Sequence, residues 1–253
     1  MPRTVSVLEY DPDLAEDLSD EQLGIARGRV LAELVRYPTG PWGVGPDDFD
    51  QKASLGLLLI EGLLAREVTV AEYTCAELLG PGDVRQPWLR IGPEQSVATE
   101  IDWDVVQPVK AAFLDRGFSA SAFRWPEIGA AVSRRLMQRA HWLAFHLAIC
   151  ALRRVEERLL LVLWHFADRW GTVTPEGVRL DLRLTHDLLA AVTGSRRPSV
   201  TSGLRRLTEE GRIQPQPRSR WLLLGRPPAE LERMHQRSRA RSNGSRREAP
   251  GKS

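Results

Sequence analysis

The sequence of 253 residues predicts an α+β fold: an antiparallel β sandwich or barrel, then one long helix, then a hairpin of two short helices. Three observations carry this. From Leu55 to about Phe113, short apolar runs alternate with turn residues at intervals of roughly 8–12 residues, the texture of antiparallel strands. Between Glu127 and Thr174 there is no proline, and Gly129 is the only glycine before Gly171, so this is the longest helix-permissive stretch in the chain. In residues 184–213, two apolar faces at helical spacing are separated by Gly194, as a helix-turn-helix requires.

Composition bounds the class. A hydrophobic content of 42% supports a real core, and the length suits one large or two modest domains. No run approaches the roughly 20 apolar residues that cross a bilayer. The start MPRTVSVLEYDPDLAEDL is acidic and lacks the regions of a signal peptide, so a cytoplasmic protein without membrane contact is expected. The two cysteines, Cys75 and Cys150, exclude a disulfide framework and a four-thiolate site, leaving one disulfide or one reactive thiol. The net charge of +2 is an average over opposed parts: residues 1–104 hold 8 Lys and Arg against 20 Asp and Glu, residues 105–253 hold 27 against 13. Such polarity suggests that the basic part meets a polyanion.

Taken in order, Ser19 to Val35 reads as an amphipathic helix, followed by a loop rich in Pro and Gly. GLLLIEGLLAREVTV reads as strand rather than helix because Gly56, Gly62 and the alternation in REVTVAEY interrupt it; SVATEIDWDVVQPV and the intervening WLRIGPEQ continue the β texture. In the long helix Leu136, Ala140, Leu143, Leu147 and Cys150 alternate steps of four and three. A seam this narrow pairs with another helix, most simply in a parallel homodimer, the alternative being packing on its own domain. Leu152-Arg153-Arg154 breaks the seam, and VEERLLLVLWHFADRW starts a second helix, so Arg153 and Arg154 mark a hinge. Pro175-Glu176-Gly177 turns a β hairpin that continues through Val178, Leu180, Leu182 and Leu184. Glu232 to Ser253 has 7 basic and 2 acidic residues and no aromatic one, and is predicted to be disordered.

The functional signal lies in LTHDLLAAVTGSRRPSVTSGLRRLTEEGRI. Leu188, Leu189 and Val192 mark the inner face of the first helix, which Thr185 caps. Val200, Leu204 and Leu207 mark that of the second, and Pro198 belongs in its first turn, where a missing N–H costs nothing. Its outer face reads Arg197, Ser199, Thr201, Ser202, Arg205 and Arg206, with Arg196 just before it. Short hydroxyls and arginines suit a major groove: Arg contacts guanine bidentately, and Ser and Thr reach phosphates or base edges without bulk. RIQPQPRSRWLLL reads as two strands around a turn with Arg218 and Arg220 at the tip, a wing over phosphates. Arg197, Ser199, Thr201 and Ser202 are therefore candidate base contacts, and Thr185, His186, Arg196, Arg205, Arg206, Arg218 and Arg220 candidate phosphate contacts.

The run RRVEERLLLVLWHFADRWGTVTPEGVRLDLRLTHDLLAAVTGSRRPSVTSGLRRLTEEGRI resembles the winged helix of the Crp/Fnr superfamily of transcription regulators, and the order of parts is similar too. The resemblance covers residues 127–224 strongly and 20–126 weakly, where GPGDV at 80–84 matches the turn before the ligand-binding strand. It implies an N-terminal antiparallel, jelly-roll-like β-roll sensor over 1–126, a dimerisation helix over 127–152, a winged helix-turn-helix over 153–226 and a basic tail over 227–253. It also implies a homodimer bound to double-stranded DNA, with Arg197, Ser199 and Ser202 at the family's main base-contacting positions. Pro198 stands where the catabolite activator has glutamate, so a different operator is expected.

The family's cyclic-nucleotide pocket needs a Gly-Glu pair soon after Gly-Asp and an Arg-Ser or Arg-Thr pair for the phosphate. Here Gly82-Asp83 is followed by Val84, Arg85, Gln86, Pro87 and Trp88, so cyclic AMP is not expected to bind by those contacts. The effector is unassigned and no cofactor is predicted. The cysteine cluster of iron–sulfur members is missing, and Cys75 reads as a buried strand thiol. There is no GxSxG and no phosphate-binding glycine loop, and His141 and His146 miss the spacing of a helical zinc site, so no enzyme is expected. Asp47, Asp48 and Asp50 read as solvated loop acids. The alternative reading is a small-molecule-binding module whose basic part contacts DNA non-specifically or binds a protein.

Overall fold

The computed structural model describes residues 3–43, 54–87 and 96–228. The expectations for Asp47, Asp48 and Asp50, for WLRIGPEQ and Trp88, and for the tail from Glu232 lie outside the described residues. The chain begins with strand β1 (Arg3–Ser6), helix α1 (Val7–Tyr10) and a 3-10 turn, Pro12–Ala15. Helix α2 (Asp20–Arg27) is started by a reciprocal cap: the Gln22 amide N–H donates to Ser19 Oγ (3.3 Å), and the Ser19 N–H to Gln22 Oε1 (2.9 Å). The helix read over Ser19–Val35 is thereby corrected. It stops at Gly28, and Leu31–Tyr37 form strand β2, held between β1 and a later strand. The ladder on both sides outweighs the helical spacing of Leu31 and Leu34.

Strands β3 (Gly40–Pro41), β4 (Gly56–Val70), β5 (Tyr73–Leu79), β6 (Val84–Arg85) and β7 (Thr99–Leu114) complete one antiparallel sheet ordered β1-β2-β7-β4-β5, with β3 on β7 and β6 on β4. In place of short strands, β4 and β7 run 15 and 16 residues. Gly62 does not end β4 but bends it: its φ is +94°, the register against β7 shifts around it, and a Cβ there would lie 2.2 Å from the Pro108 carbonyl oxygen. The curvature closes an inner apolar layer of Leu57, Leu59, Leu64, Leu79, Val105 and Val109. Cys75, expected to be buried, is exposed on β5, where it opposes Val68 of β4 and its side chain alternates to the other face from buried Ala76.

Helix α3 (Arg116–Ala122) is capped by Asp115, whose Oδ1 accepts from the Phe118 N–H at 2.7 Å. Helix α4 (Pro126–Cys150) follows, buried at its start through Ile128, Ala131 and Val132. Helix α5 (Val155–Trp170) is the apolar axis of the C-terminal part; Leu159 and Leu163 are fully buried, each worth roughly 1.5–3 kcal/mol of transfer free energy. Strands β8 (Thr172–Thr174) and β9 (Gly177–Leu180) form the expected hairpin. Helices α6 (His186–Val192) and α7 (Arg197–Glu209) and strands β10 (Ile213–Gln216) and β11 (Arg220–Leu223) complete a sheet ordered β10-β11-β9-β8 under the helices. The C-terminal part packs on the roll: Leu63, Ala65, Ala76 and Leu78 share a core with Leu188, Leu189 and α5. Polar ties reinforce this, with Arg169 on Asp83 (2.6 Å) and the Gln107 side chain bridging the Asp181 carbonyl and the Arg183 N–H (3.2 and 3.0 Å).

Candidate nucleic-acid interface

Local chemistry sets the angle between α6 and α7. Thr185 Oγ1 accepts from the Leu188 N–H (3.2 Å), fixing the start of α6. At its end the buried Thr193 hydroxyl donates to the Leu189 carbonyl (2.7 Å), and Gly194 takes φ +57°, which turns the chain sharply. Arg158 of α5 donates to the Thr193 carbonyl (3.2 Å), Ser195 Oγ (3.3 Å) and the Leu152 carbonyl (2.6 Å), so one guanidinium clamps the turn to the segment between α4 and α5. Pro198 sits in the first turn of α7 as predicted. Gly203 faces α5, and a Cβ there would come within 2.9 Å of Leu159 Cδ1, so the absent side chain lets the two helices approach closely.

Val200, Gly203, Leu204 and Leu207 are buried on the inner side of α7. Arg196, Arg197, Ser199, Thr201, Ser202, Arg205 and Arg206 are all exposed. Several of these groups have partners. Arg197 Nε pairs with Asp187 (3.0 Å), Thr201 Oγ1 hydrogen-bonds His186 Nδ1 (3.0 Å), and Arg205 lies 3.6 Å from Glu209. Arg206 is turned along the helix side, pairing with Glu210 and with Glu156 of α5 (3.1 Å each). Glu156 also accepts from Arg154 at 2.7 Å, and that hydrogen bond holds its carboxyl below the ordinary carboxylate range. One carboxylate thus joins Arg154, in the break between α4 and α5, to α7; Arg153 beside it is exposed.

In the wing, Arg218 and Ser219 take left-handed backbone, φ +62° and +58°, and Arg218 is exposed at the tip. Arg220, also expected at the tip, is instead the first residue of β11, half-buried and 3.7 Å from Asp181, because the turn is made by the residues before it. The Trp221 indole N–H donates to the Leu184 carbonyl (3.1 Å), tying the wing to the start of α6. Sequence reasoning missed Arg158, Glu156, Asp187 and Gly203. Only Gly203 carried a local signal, a glycine three residues after Val200 on the inner face.

Toward the roll, GPGDV forms a tight turn: the Gly80 N–H donates to Asp83 Oδ2 (2.8 Å) and Gly82 has φ +88°. Among the described residues no helix is long and apolar enough to cross a membrane.

The Crp-like helix-turn-helix domain model matches residues 157–234. None of the curated proteins compared matches the chain. Among solved structures, a mutant of CooA from Carboxydothermus hydrogenoformans is 18% identical, with 83% of this chain and 90% of that one covered and a TM-score of 0.59. FixK2 from Bradyrhizobium japonicum is 15% identical over 81% of this chain and 96% of its own, with a TM-score of 0.58. A CRP/FNR-family transcriptional regulator from Thermus thermophilus is 22% identical over 76% and 94%, with a TM-score of 0.51. Residues 157–234 thus match the Crp-like helix-turn-helix domain model, and the described residues share the fold of these solved transcription regulators.

Proposed function

We propose that the chain is a DNA-binding transcription regulator that reads a two-fold operator as a homodimer. The observation that carries this is α7: every inward position is small or apolar and buried, while Arg197, Ser199, Thr201 and Ser202 are exposed on its N-terminal half. The N-terminal residues of a recognition helix contact base edges in the major groove. Arg197 is the candidate for guanine. Its pair with Asp187 leaves both side chains about two-thirds exposed, and such surface pairs are worth about 0–1 kcal/mol, so DNA displaces Asp187 at small cost.

Thr185, His186, Arg196, Arg205 and Arg206 then flank the groove toward phosphate, with Arg218 and Arg220 on the wing. Residues 1–126 act as the sensing roll, 127–152 as the dimerising helix, 153–226 as the DNA-binding part and 227–253 as a basic tail, with Arg153 and Arg154 as the hinge between them. The dimer forms along the α4 seam. Leu136, Ala140, Leu143 and Leu147 are exposed in the single chain, at alternating steps of four and three that match a second copy of itself. The two α7 helices would then meet half-sites about one helical turn apart.

Selection of bound fragments from a genomic library, followed by gel-shift titration, tests this. The parent is expected to enrich a two-fold sequence, and R197A to lose about 1–3 kcal/mol on it, roughly tenfold to a hundredfold in affinity. Enrichment of no sequence, or equal binding by R197A, would sink the assignment.

A further inference from the structure

The start of α5 and the middle of α7 are pressed together, and one carboxylate oxygen sits where they meet. At Gly203 a Cβ would lie 3.6 Å from the Glu156 amide nitrogen, so α7 runs directly against the first turn of α5. Three residues further along α7, Arg206 Nη1 donates to Glu156 Oε1 at 3.1 Å. The same oxygen accepts from Arg154 Nη2 at 2.7 Å and from Arg154 Nε at 3.2 Å. The Glu156 side chain is 18% exposed, against 56% for Arg206 and 52% for Arg154. The carboxylate is therefore the fixed member of the cluster, and the two guanidinium groups are free to leave it.

Three N–H donors thus compete for one oxygen, which has two lone pairs. The two arginines differ in what else they reach. Arg154 is the residue at which α5 begins, in the break proposed as the hinge. Arg206 stands among the arginines proposed to meet phosphate, and its other partner, Glu210 at 3.1 Å, lies on the same helix and moves with it. A DNA phosphate offers Arg206 the same kind of charge-assisted acceptor that the carboxylate does, so one can take the place of the other at modest cost.

We propose that Glu156 is a positioning residue that links phosphate contact by α7 to the hinge. In the DNA-free chain it holds Arg206 against α5; a backbone phosphate of bound DNA takes Arg206 from it and leaves its carboxylate to Arg154. The link is reciprocal. Drawing Arg154 away from Glu156 strengthens the hold on Arg206 and weakens DNA binding, and DNA binding in turn tightens the bond between Glu156 and Arg154. Because it acts through phosphate, the coupling is independent of base sequence. The inference rests on reading α7 as the helix that meets DNA, but not on the two-fold operator.

The experiment is fluorescence-anisotropy titration of the full chain on a labelled duplex of random sequence, over a series of salt concentrations. E156Q is expected to bind about threefold to tenfold more tightly than the parent, and E157Q, which removes the same charge one residue away, about twofold at most. In an R206Q background E156Q gains no more than E157Q does. R206Q alone makes the salt slope shallower by about 0.9, the share of one phosphate contact, whereas E156Q keeps the parent's slope because the same contacts form in the complex. R154Q is expected to bind more weakly than R153Q, and that difference to vanish once Glu156 is also replaced. Equal affinities for E156Q and E157Q, a gain from E156Q that survives in R206Q, or a slope that R206Q leaves unchanged overturns the proposal, as does a parent that does not bind the duplex. The two-fold reading fails on a different result, a genomic library with no enriched sequence, so the two fail separately. If E156Q does not fold, the R154Q and R153Q comparison decides, and equal binding by those two overturns the link to the hinge.

Discussion

Gly194 shows how much of the candidate interface hangs on single backbone positions. Its φ of +57° costs a residue with a Cβ about 1–2 kcal/mol, and no atom lies within 4 Å of where that Cβ would sit. Gly194→Ala is therefore expected to destabilise by that amount through conformation alone, and Gly194→Asn by less, since Asn tolerates the left-handed region. Urea unfolding of the three proteins checks the order; an alanine variant as stable as the parent contradicts it. The same turn separates what the sequence discloses from what it hides. Thr185, Gly194 and Pro198 are legible because caps, turns and first-turn prolines are local rules. Arg158, which clamps the turn from α5, and Asp187, which holds Arg197, are not, because nothing in an arginine or an aspartate states which distant group it meets. Arg220 was misplaced for a related reason: the turn residues settle which arginine stands at a tip, and here Arg218 and Ser219 take that role.

At the scale of elements, α5 makes a pH-dependent prediction. His165 is buried between Trp142, Phe145 and Phe166, with ring centres 4.5, 5.1 and 5.8 Å away. Burial first, then the charges of Arg169, His146 and His141, push its pKa down to about 3. In the unfolded chain the imidazole takes up a proton near its ordinary value of about 6.5, while the folded chain does not until about pH 3. The stability due to neutral His165 is therefore complete above about pH 6.5 and is lost progressively as pH falls toward 3. His165→Phe, which keeps the aromatic packing, is expected to flatten the fall of the unfolding midpoint between pH 6.5 and 5; an unchanged slope would show that other groups carry it. Helix α5 and the α6–α7 pair were legible because their apolar faces repeat at helical period. The Ser19–Val35 segment misled because Leu31 and Leu34 suit a helix by spacing but a strand by their neighbours. The length of β4 was hidden because a glycine that bends a strand, here Gly62, and one that ends it look alike until the partner strand is placed, and in β7 Pro108 has the same effect.

For the whole molecule, the proposed two-fold binding would join the charge polarity of the sequence to the exposed seam of α4: two copies would bring their basic ends to one face of a DNA duplex while their acidic rolls stay away from it. Leu143 and Leu147 are 38% and 73% exposed in the single chain, so replacing them with glutamate removes little packing from the protomer. In a parallel pair the same side chains lie at the axis, where facing carboxylates repel and lose their hydration. The double variant L143E/L147E is thus expected to keep the parent's circular dichroism and to sediment as a monomer, while the parent sediments as a dimer. Its binding to a two-fold site should then fall by about 10²–10⁴-fold, because the second half-site contact is no longer made at the high effective concentration that a shared dimer provides. Binding to an isolated half-site, already weak, should change little. Sedimentation and gel-shift titration together are decisive: a variant that stays dimeric places the interface elsewhere, and a monomer that keeps full affinity for the two-fold site removes the dimer from the mechanism.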